Sequence, residues 1–442
     1  MNKGIFINPE EVQEVLKKYM LVDGFDITID LNQSTTSHIQ DSRTNKKLLD
    51  FFTFIASNPL GMNHPKLNNE EFIKQIGRVA ISKPSLSDVY AKEQAEFVDT
   101  FFKIAVPDYF KYAFFIEGGA LAVENTLKAA FDWKVRKNFE KGYKEEKGTK
   151  ILHFKQAFHG RSGYTLSLTN TDPNKIMYFP KFDWPRVSNP KITFPLNEEN
   201  LAKVIALENQ SIAEIKQAIH DNKDDIAGLI LEPIQGEGGD NHFRKEYFQQ
   251  LRQICDENDI IFILDEVQTG IAMTGKMWAH QHYVIPDIIS FGKKTQVCGV
   301  LATKRFDEID ENVFRKSTRI NSTWGGNLVD MFRFKRILEI IEEEDLVKNC
   351  EVMGIHLLTK MIELSNKYPD KVSNARGLGL FCAFDCRDAA MRDTIHREAM
   401  KNGVLILGCG EKSIRFRPPI TVKKENIDAG IEVIDAIIKD IK

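Results

Sequence analysis

Ile260–Gly270 (IIFILDEVQTG) and Asp287–Lys294 (DIISFGKK) are the stretches that decide the fold. Each opens on a short apolar run and closes on charge: Asp265 and Glu266 in the first, Lys293 and Lys294 in the second. A strand with one wet face alternates apolar and polar residues, whereas a strand covered on both faces reads as continuously apolar. Working outward, similar runs occur at Lys150–Phe154 and Ile226–Leu231, with helix-patterned stretches over 199–221 and 244–258 between several of them. Upstream, a helix over 92–105 leads to the run Tyr112–Ile116, a Gly-Gly turn, and a helix over Leu121–Asn138 built from good helix formers. Short apolar strands alternating with helices predict an α/β protein with a mainly parallel sheet covered on both faces. Ligands of such sheets bind beyond the carboxyl ends of the strands, so chemistry is expected just after each run.

At 442 residues the chain exceeds what one core organises. Residues 1–60 are read as an N-terminal segment joining a small domain, 61–330 as the large domain, and 331–442 as a C-terminal small α+β domain. Within them, a short amphipathic helix is expected over 8–20, behind Pro9, and strands and turns over 27–55. A long charged helix is expected over 331–368, with strands near 380–386 and 403–407 and a closing helix. Charged residues make up 28% and the net charge is −3, which argues against phosphate-driven nucleic-acid binding. The opening residues are too polar for a signal peptide's apolar core. No apolar stretch approaches the roughly 20 residues that cross a bilayer, so no membrane association is expected. Six cysteines without a CxxC pair read as buried thiols in a cytoplasmic protein. His280 and His282 bracket Gln281, but no third ligand is evident; a solvated helical pair is expected and no metal site.

Four runs end in clusters of unusual chemistry. Glu117-Gly118-Gly119-Ala120 opens a helix, where small residues let backbone N–H groups meet a phosphate; a plain strand-to-helix turn would look the same. Phe158-His159-Gly160-Arg161 offers a ring for a flat cofactor and a guanidinium fork for a carboxylate, or simply a surface arginine beside a core phenylalanine. Asp265 puts a carboxylate at the mouth of a buried strand, where it needs a cationic partner unless it serves as a helix cap. Its neighbour Glu266 is solvated or structural. A lysine at the end of an apolar strand is awkward as plain structure but suits an amine held in a cleft for imine chemistry.

In this order, and with Glu232-Pro233-Ile234-Gln235-Gly236-Glu237 between them, the motifs resemble those of class III aminotransferases, pyridoxal-phosphate (PLP) enzymes of fold type I. The resemblance runs from about residue 20 to 435. Within the class the wording is most similar to the L-lysine 6-aminotransferases, through Ala157–Thr171 (AFHGRSGYTLSLTNT), Phe179–Arg186 (FPKFDWPR), Phe291–Gly299 (FGKKTQVCG), Asn321–Asn327 (NSTWGGN) and Arg415–Thr421 (RFRPPIT). Most of the class has a glycine pair soon after the lysine; this chain has Thr295-Gln296-Val297-Cys298-Gly299, as the lysine-specific group does.

The resemblance implies a PLP-binding large domain and a set of roles. Lys293 would hold PLP as a Schiff base and relay the proton; the class spacing of Asp, five residues and Lys selects it over Lys294, which has no assigned role. Neighbours on an extended segment also point opposite ways. Asp265 would pair with the pyridinium nitrogen. Phe158 and Val267 would sandwich the ring, and Gln268 would bond its phenolic oxygen. Gly119 and Ala120 would bind the phosphate, completed by Thr323 from the second subunit of a homodimer; a plain loop hydroxyl is the alternative for Thr323. The substrates implied are L-lysine and 2-oxoglutarate, giving 2-aminoadipate 6-semialdehyde, which cyclises to piperideine-6-carboxylate, and L-glutamate. Arg161 would take the distal carboxylate and Arg415 the α-carboxylate of 2-oxoglutarate. Glu237 would neutralise Arg415 when lysine is bound and swing aside otherwise, its flanking glycines permitting movement; an ordinary loop carboxylate is the alternative. Ile55 is read as a pocket wall, or equally as core.

Two rival readings remain at this level. Another ω-aminotransferase, for ornithine or 4-aminobutyrate, would share Lys293, Asp265 and the phosphate site. A non-catalytic PLP-fold ligand-binding protein of the regulatory kind usually carries an added DNA-binding module, which is not visible here, and both Arg161 and Arg415 are retained.

Overall fold

The computed structural model describes residues 6–442, so the first five residues of the polar N-terminus lie outside it. The strands are β1 (His38–Gln40), β2 (Lys47–Asp50), β3 (Phe110–Ile116), β4 (Lys150–Phe154), β5 (Arg186–Val187), β6 (Ile226–Leu231), β7 (Ile261–Asp265), β8 (Ile288–Phe291), β9 (Cys298–Thr303), β10 (Val372–Leu378), β11 (Phe381–Cys386), β12 (Val404–Leu405), β13 (Leu407–Cys409) and β14 (Ser413–Phe416). Seven of them form one sheet in the order β3-β9-β8-β7-β6-β4-β5. Every pairing from β8 to β5 is parallel; β9 alone runs against both its neighbours.

The apolar runs are explained by burial on both faces. Along β7, Phe262 and Leu264 belong to one core cluster and Ile261 and Ile263 to the other, and none is accessible to solvent. The helix Gly119–Glu140 covers the second face with Val123, Leu127, Ala130 and Trp133. The first face is covered by Phe97 and Phe101 of Lys92–Ile104 and by Tyr247, Phe248 and Leu251 of Lys245–Glu257. Each such side chain contributes about 1.5–3 kcal/mol on burial, which fixes the register and with it the positions of the strand ends.

The smaller α+β part joins the two ends of the chain. β12 pairs parallel to β2, which pairs antiparallel to β1. Phe51, just after β2, packs against the helix Lys424–Asp440 so closely that a β-carbon on Gly430 would sit 2.3 Å from its ring. A four-stranded antiparallel sheet, β10-β11-β14-β13, carries Arg415 on β14.

Two expectations change, and some strands are additions. The single helix over 331–368 is two, Leu328–Glu343 and Leu346–Lys367, broken at Asp345 with φ 48°. Four acidic residues, Glu342 to Asp345, sit at the first helix's C-terminus, where its dipole disfavours negative charge, and aspartate tolerates the left-handed bend. The amphipathic helix expected over 8–20 is a 3-10 turn, Pro9–Glu11, followed by a short helix, Val12–Lys17. β9, β10 and β14 were not singled out in the sequence. β9 is instead the return arm of a hairpin whose bend holds the two lysines.

Candidate active site

The strand ends bring the five motifs together. Asp265 closes β7 with its side chain almost wholly buried. Its Oδ2 lies 2.8 Å from Nδ1 of His159, and its Oδ1 accepts from the Val267 amide at 3.1 Å and the Ser290 hydroxyl at 2.9 Å. The carboxylate is therefore locked in orientation by three neighbours from three segments. Val267 leads to the glycine turn: a β-carbon on Gly119 would lie 3.0 Å from its Cγ1, and one on Gly292 3.4 Å from the same atom. Gly160, at φ +113°, presses on Ala120, where a β-carbon would meet Ala120 Cβ at 2.5 Å. Glycine is required there twice over, by conformation and by space. The helix begins at Gly119, with Gly118 at φ 97° before it, so its first amides are free of intrahelical partners.

Lys293 follows β8 by one residue, in a 3-10 turn, Lys293–Thr295, and at φ 54°. The lysines thus do not sit on an extended segment, and the alternation argument for separating them fails. What separates them is partners. Lys294 is buried, donating to the carbonyls of Gln268 at 2.5 Å and Ala56 at 3.5 Å. The Lys293 amine makes no hydrogen bond to another described residue, although the residue's carbonyl accepts from Gln296. Burial, reinforced by the Arg415 and Arg417 charges and opposed by Asp265 and Glu232, lowers the pKa of its amine to about 8.

Gln268 Oε1 accepts from Arg417 at 3.1 Å, which turns the amide's donor side away from Arg417. Arg417 is fully buried in a bidentate pair with Asp240, at 2.9 and 2.6 Å, and its guanidinium lies 3.4 Å from the centroid of the Phe381 ring. Glu232 accepts from the amides of Phe158 at 2.9 Å and Gly236 at 3.1 Å, and burial raises its pKa to about 7. Glu266 is structural rather than solvated: it accepts from the amides of Ala279 and His280 and pairs with the His280 ring at 3.0 Å. His280 is accordingly buried, and the expected solvated His280–His282 pair is corrected.

Arg415 lies within 3.0 Å of Glu237 through Nη2, while its buried Nε and Nη1 have no partner among the described residues. Glu237 also accepts from Lys175 at 2.6 Å, and the two cations hold its pKa below the ordinary carboxylate range against the effect of burial. The neighbouring glycines have a different basis from the one expected. A β-carbon on Gly236 would lie 2.3 Å from Gln268 Oε1 and one on Gly238 2.1 Å from the Gln156 carbonyl. They permit close packing, so any movement of Glu237 is a side-chain rotation. Ile55 lies in Thr53–Ala56, four consecutive residues of left-handed backbone. Left-handed conformation costs roughly 1–2 kcal/mol per residue. Asp50 offsets this by accepting from the Phe52 and Thr53 amides, and Arg417's carbonyl by accepting from the Thr53 hydroxyl. Ile55 is itself 39% exposed, so it is not core. Arg161 and Thr323 are exposed and bond to no described residue.

Sequence reading missed His159, Ser290, Glu232, Asp240 and Arg417 as site residues. His159, Glu232, Ser290 and Arg417 lay inside quoted motifs but were given no role there; Asp240 carried no local signal.

These residues fit PLP. An amine with no protein partner faces an oriented carboxylate, glycines open the backbone beside a helix start, and a buried guanidinium has unused donors.

Comparison with known proteins agrees. The profile of the class-III aminotransferases matches residues 20–438. The L-lysine-epsilon aminotransferase of Mycobacterium tuberculosis is 49% identical over 428 residues, 96% of this chain and 95% of that one. The mitochondrial 4-aminobutyrate aminotransferase of Rattus norvegicus is 31% identical, over 98% of this chain and 89% of that one. A solved lysine aminotransferase from M. tuberculosis in the internal aldimine form superposes with a TM-score of 0.95 at 48% identity, covering 97% of this chain and 99% of that one. With converging strand ends that suit the cofactor and a family profile spanning nearly its whole length, the chain belongs to the class III aminotransferases and is a PLP-dependent enzyme.

Proposed function

We propose that the enzyme transfers the ε-amino group of L-lysine to 2-oxoglutarate, giving 2-aminoadipate 6-semialdehyde, which cyclises to piperideine-6-carboxylate, and L-glutamate. The observation that carries this reading is the Glu237–Arg415 pair, which suits a site serving two unlike substrates. Full-length identity of 49% to a lysine enzyme, against 31% to a 4-aminobutyrate enzyme, supports the same choice.

PLP, when bound, supplies an aldehyde that takes up an amine and a ring that accepts the electron pair released at the reacting carbon. Lys293 would hold it covalently, Asp265 would pair with its ring nitrogen, and His159 and Ser290 would keep that carboxylate oriented. Phe158 and Val267 would flank the ring, Gln268 would turn an amide N–H to its phenolic oxygen, and the Gly119 and Ala120 amides would take the phosphate. The Lys293 amine, its pKa lowered by burial, would take a proton from the reacting carbon in its neutral form and return it. Arg415 binds a carboxylate placed next to that carbon. 2-Oxoglutarate has one there; lysine, presenting its ε-carbon, does not. Glu237 neutralises Arg415 in the lysine half-reaction, since a buried guanidinium without a partner is costly, and rotates off for the dicarboxylate. Arg161 binds the distal carboxylate of both, with Ile55 as pocket wall.

A homodimer is part of the reading, with Thr323 of the partner subunit completing the phosphate site. Supporting it, the exposed Trp324 lies beside the turn that opens that site: Lys83 reaches Glu117 at 2.9 Å and the Trp324 ring at 4.7 Å. Among the described residues no helix is long and apolar enough to cross a membrane. The six cysteines are buried and unpaired, which suits the cytoplasm.

Initial rates with lysine, ornithine and 4-aminobutyrate test the assignment. Lysine should be fastest and should bleach the visible absorbance of the purified enzyme; a faster ornithine or 4-aminobutyrate reaction overturns it.

A further inference from the structure

Glu237 has two cationic partners, and the mechanism above uses only one. Its Oε2 meets Arg415 at 3.0 Å while its Oε1 meets Lys175 at 2.6 Å. The two cations differ in setting. The Arg415 side chain is 4% exposed, whereas those of Lys175 and Glu237 are 25% and 28% exposed, at the edge of the cleft. Lys175 ends a short 3-10 turn, Pro173–Lys175, whose first amides are capped by Asp172, and its ammonium lies 5.5 Å from the centroid of the Phe158 ring. It is therefore anchored at the rim on the side of the proposed cofactor ring. The Glu237 main chain is fixed: its carbonyl accepts from Gly410, and Gly236 and Gly238 are hemmed in.

We infer that Lys175 is a positioning residue for Glu237: it keeps one carboxylate oxygen while the other releases Arg415, so that the carboxylate pivots between two cations. This rests on the reading of Glu237 as the group that covers Arg415. Three effects of Lys175 then act in one direction. It competes with Arg415 for the carboxylate, it leaves the displaced carboxylate paired instead of stranded, and it adds positive charge where a dicarboxylate enters. Lysine, which leaves the Glu237–Arg415 contact in place, gains nothing from the first two.

The test uses the holoenzyme and glutarate, a five-carbon dicarboxylate without the reacting keto group, titrated by the change in visible absorbance. Lys175→Met should weaken glutarate binding and raise the KM for 2-oxoglutarate by about three- to fivefold, the upper range of a partly exposed ion pair. The rate of the lysine half-reaction should stay within about twofold of the parent on the same scale, and Lys175→Arg should restore binding. In a Glu237→Ala background the Lys175→Met effect should largely vanish. Unchanged or tighter glutarate binding in Lys175→Met overturns the inference, as does an equal loss in the Glu237→Ala background, which would make Lys175 a plain surface charge. If Glu237→Ala alone leaves the preference between lysine and α-amino acids unchanged, it is the underlying reading of Glu237 that fails.

Discussion

The amine of Lys293 offers a direct measurement of how strongly the cleft acts on it. In the cofactor-free protein, burial and the charges of Arg415 and Arg417 lower its pKa from 10.5 to about 8. Because the shift is downward, the neutral, nucleophilic form accumulates above pH 8 and is titrated away below it. At pH 7 an ordinary lysine is neutral in roughly one molecule in 3,000, and an amine of pKa 8 in about one in 11, a gain of about 300-fold in reactive amine. The assay is stopped-flow recombination of the cofactor-free enzyme with PLP between pH 7 and 10.5, followed by visible absorbance. Above pH 7 the cofactor's own phosphate, with a second pKa of about 6, no longer titrates. The rate should climb steeply to about pH 8 and then level off. Arg415→Met should move the midpoint upward, since it removes the second-largest cause of the shift. A rate still rising tenfold per pH unit between about pH 9 and 10, as for an unperturbed lysine, would refute the reasoning.

Three further outcomes are expected. Glu237→Ala removes a charged hydrogen bond worth about 1.5–3 kcal/mol, so the ratio of lysine to L-glutamate half-reaction rates should fall by about 10- to 150-fold; an unchanged ratio contradicts the role given to it. Gly160→Ala forces a β-carbon onto Ala120 at a strained φ and should cost about 2–4 kcal/mol, read as a lower urea midpoint together with loss of PLP on gel filtration. Lys294→Met leaves the Gln268 and Ala56 carbonyls without their donor, at about 1–3 kcal/mol each, and should loosen the left-handed turn. Limited proteolysis near Phe54 should quicken and the KM for lysine should rise; an unaltered digestion pattern argues against the tether.

The sheet was legible because its strands are buried on both faces, which leaves a mostly apolar record at β4, β6, β7 and β8. Asp265 and the lysine pair stood out for the same reason, as charge at the end of such a run, while the choice of Lys293 over Lys294 came from the class spacing. What local sequence did not carry was set by packing at a distance. The turn at Thr53–Ala56 has no glycine and no turn signal; it exists because Asp50, Lys294 and Arg417 each bind part of it. His280 looked solvated because its partner Glu266 comes from another segment. The glycines around Glu237 suggested mobility, yet Gln268 and Gln156 crowd them from elsewhere in the chain.

The closure of the chain on itself, with Phe51 against the Lys424–Asp440 helix and Thr53 bonded to Arg417, bears on how the protein matures. The cleft draws on residues from Ile55 to Arg417, so it cannot be complete in a nascent chain from which Arg415 and Arg417 have not yet emerged. Cofactor capture should follow the emergence of the strand that carries Arg415 rather than accompany synthesis of the large sheet. The yellow colour of the finished enzyme would then report that both ends have come together, which makes absorbance a probe of complete folding rather than of one domain.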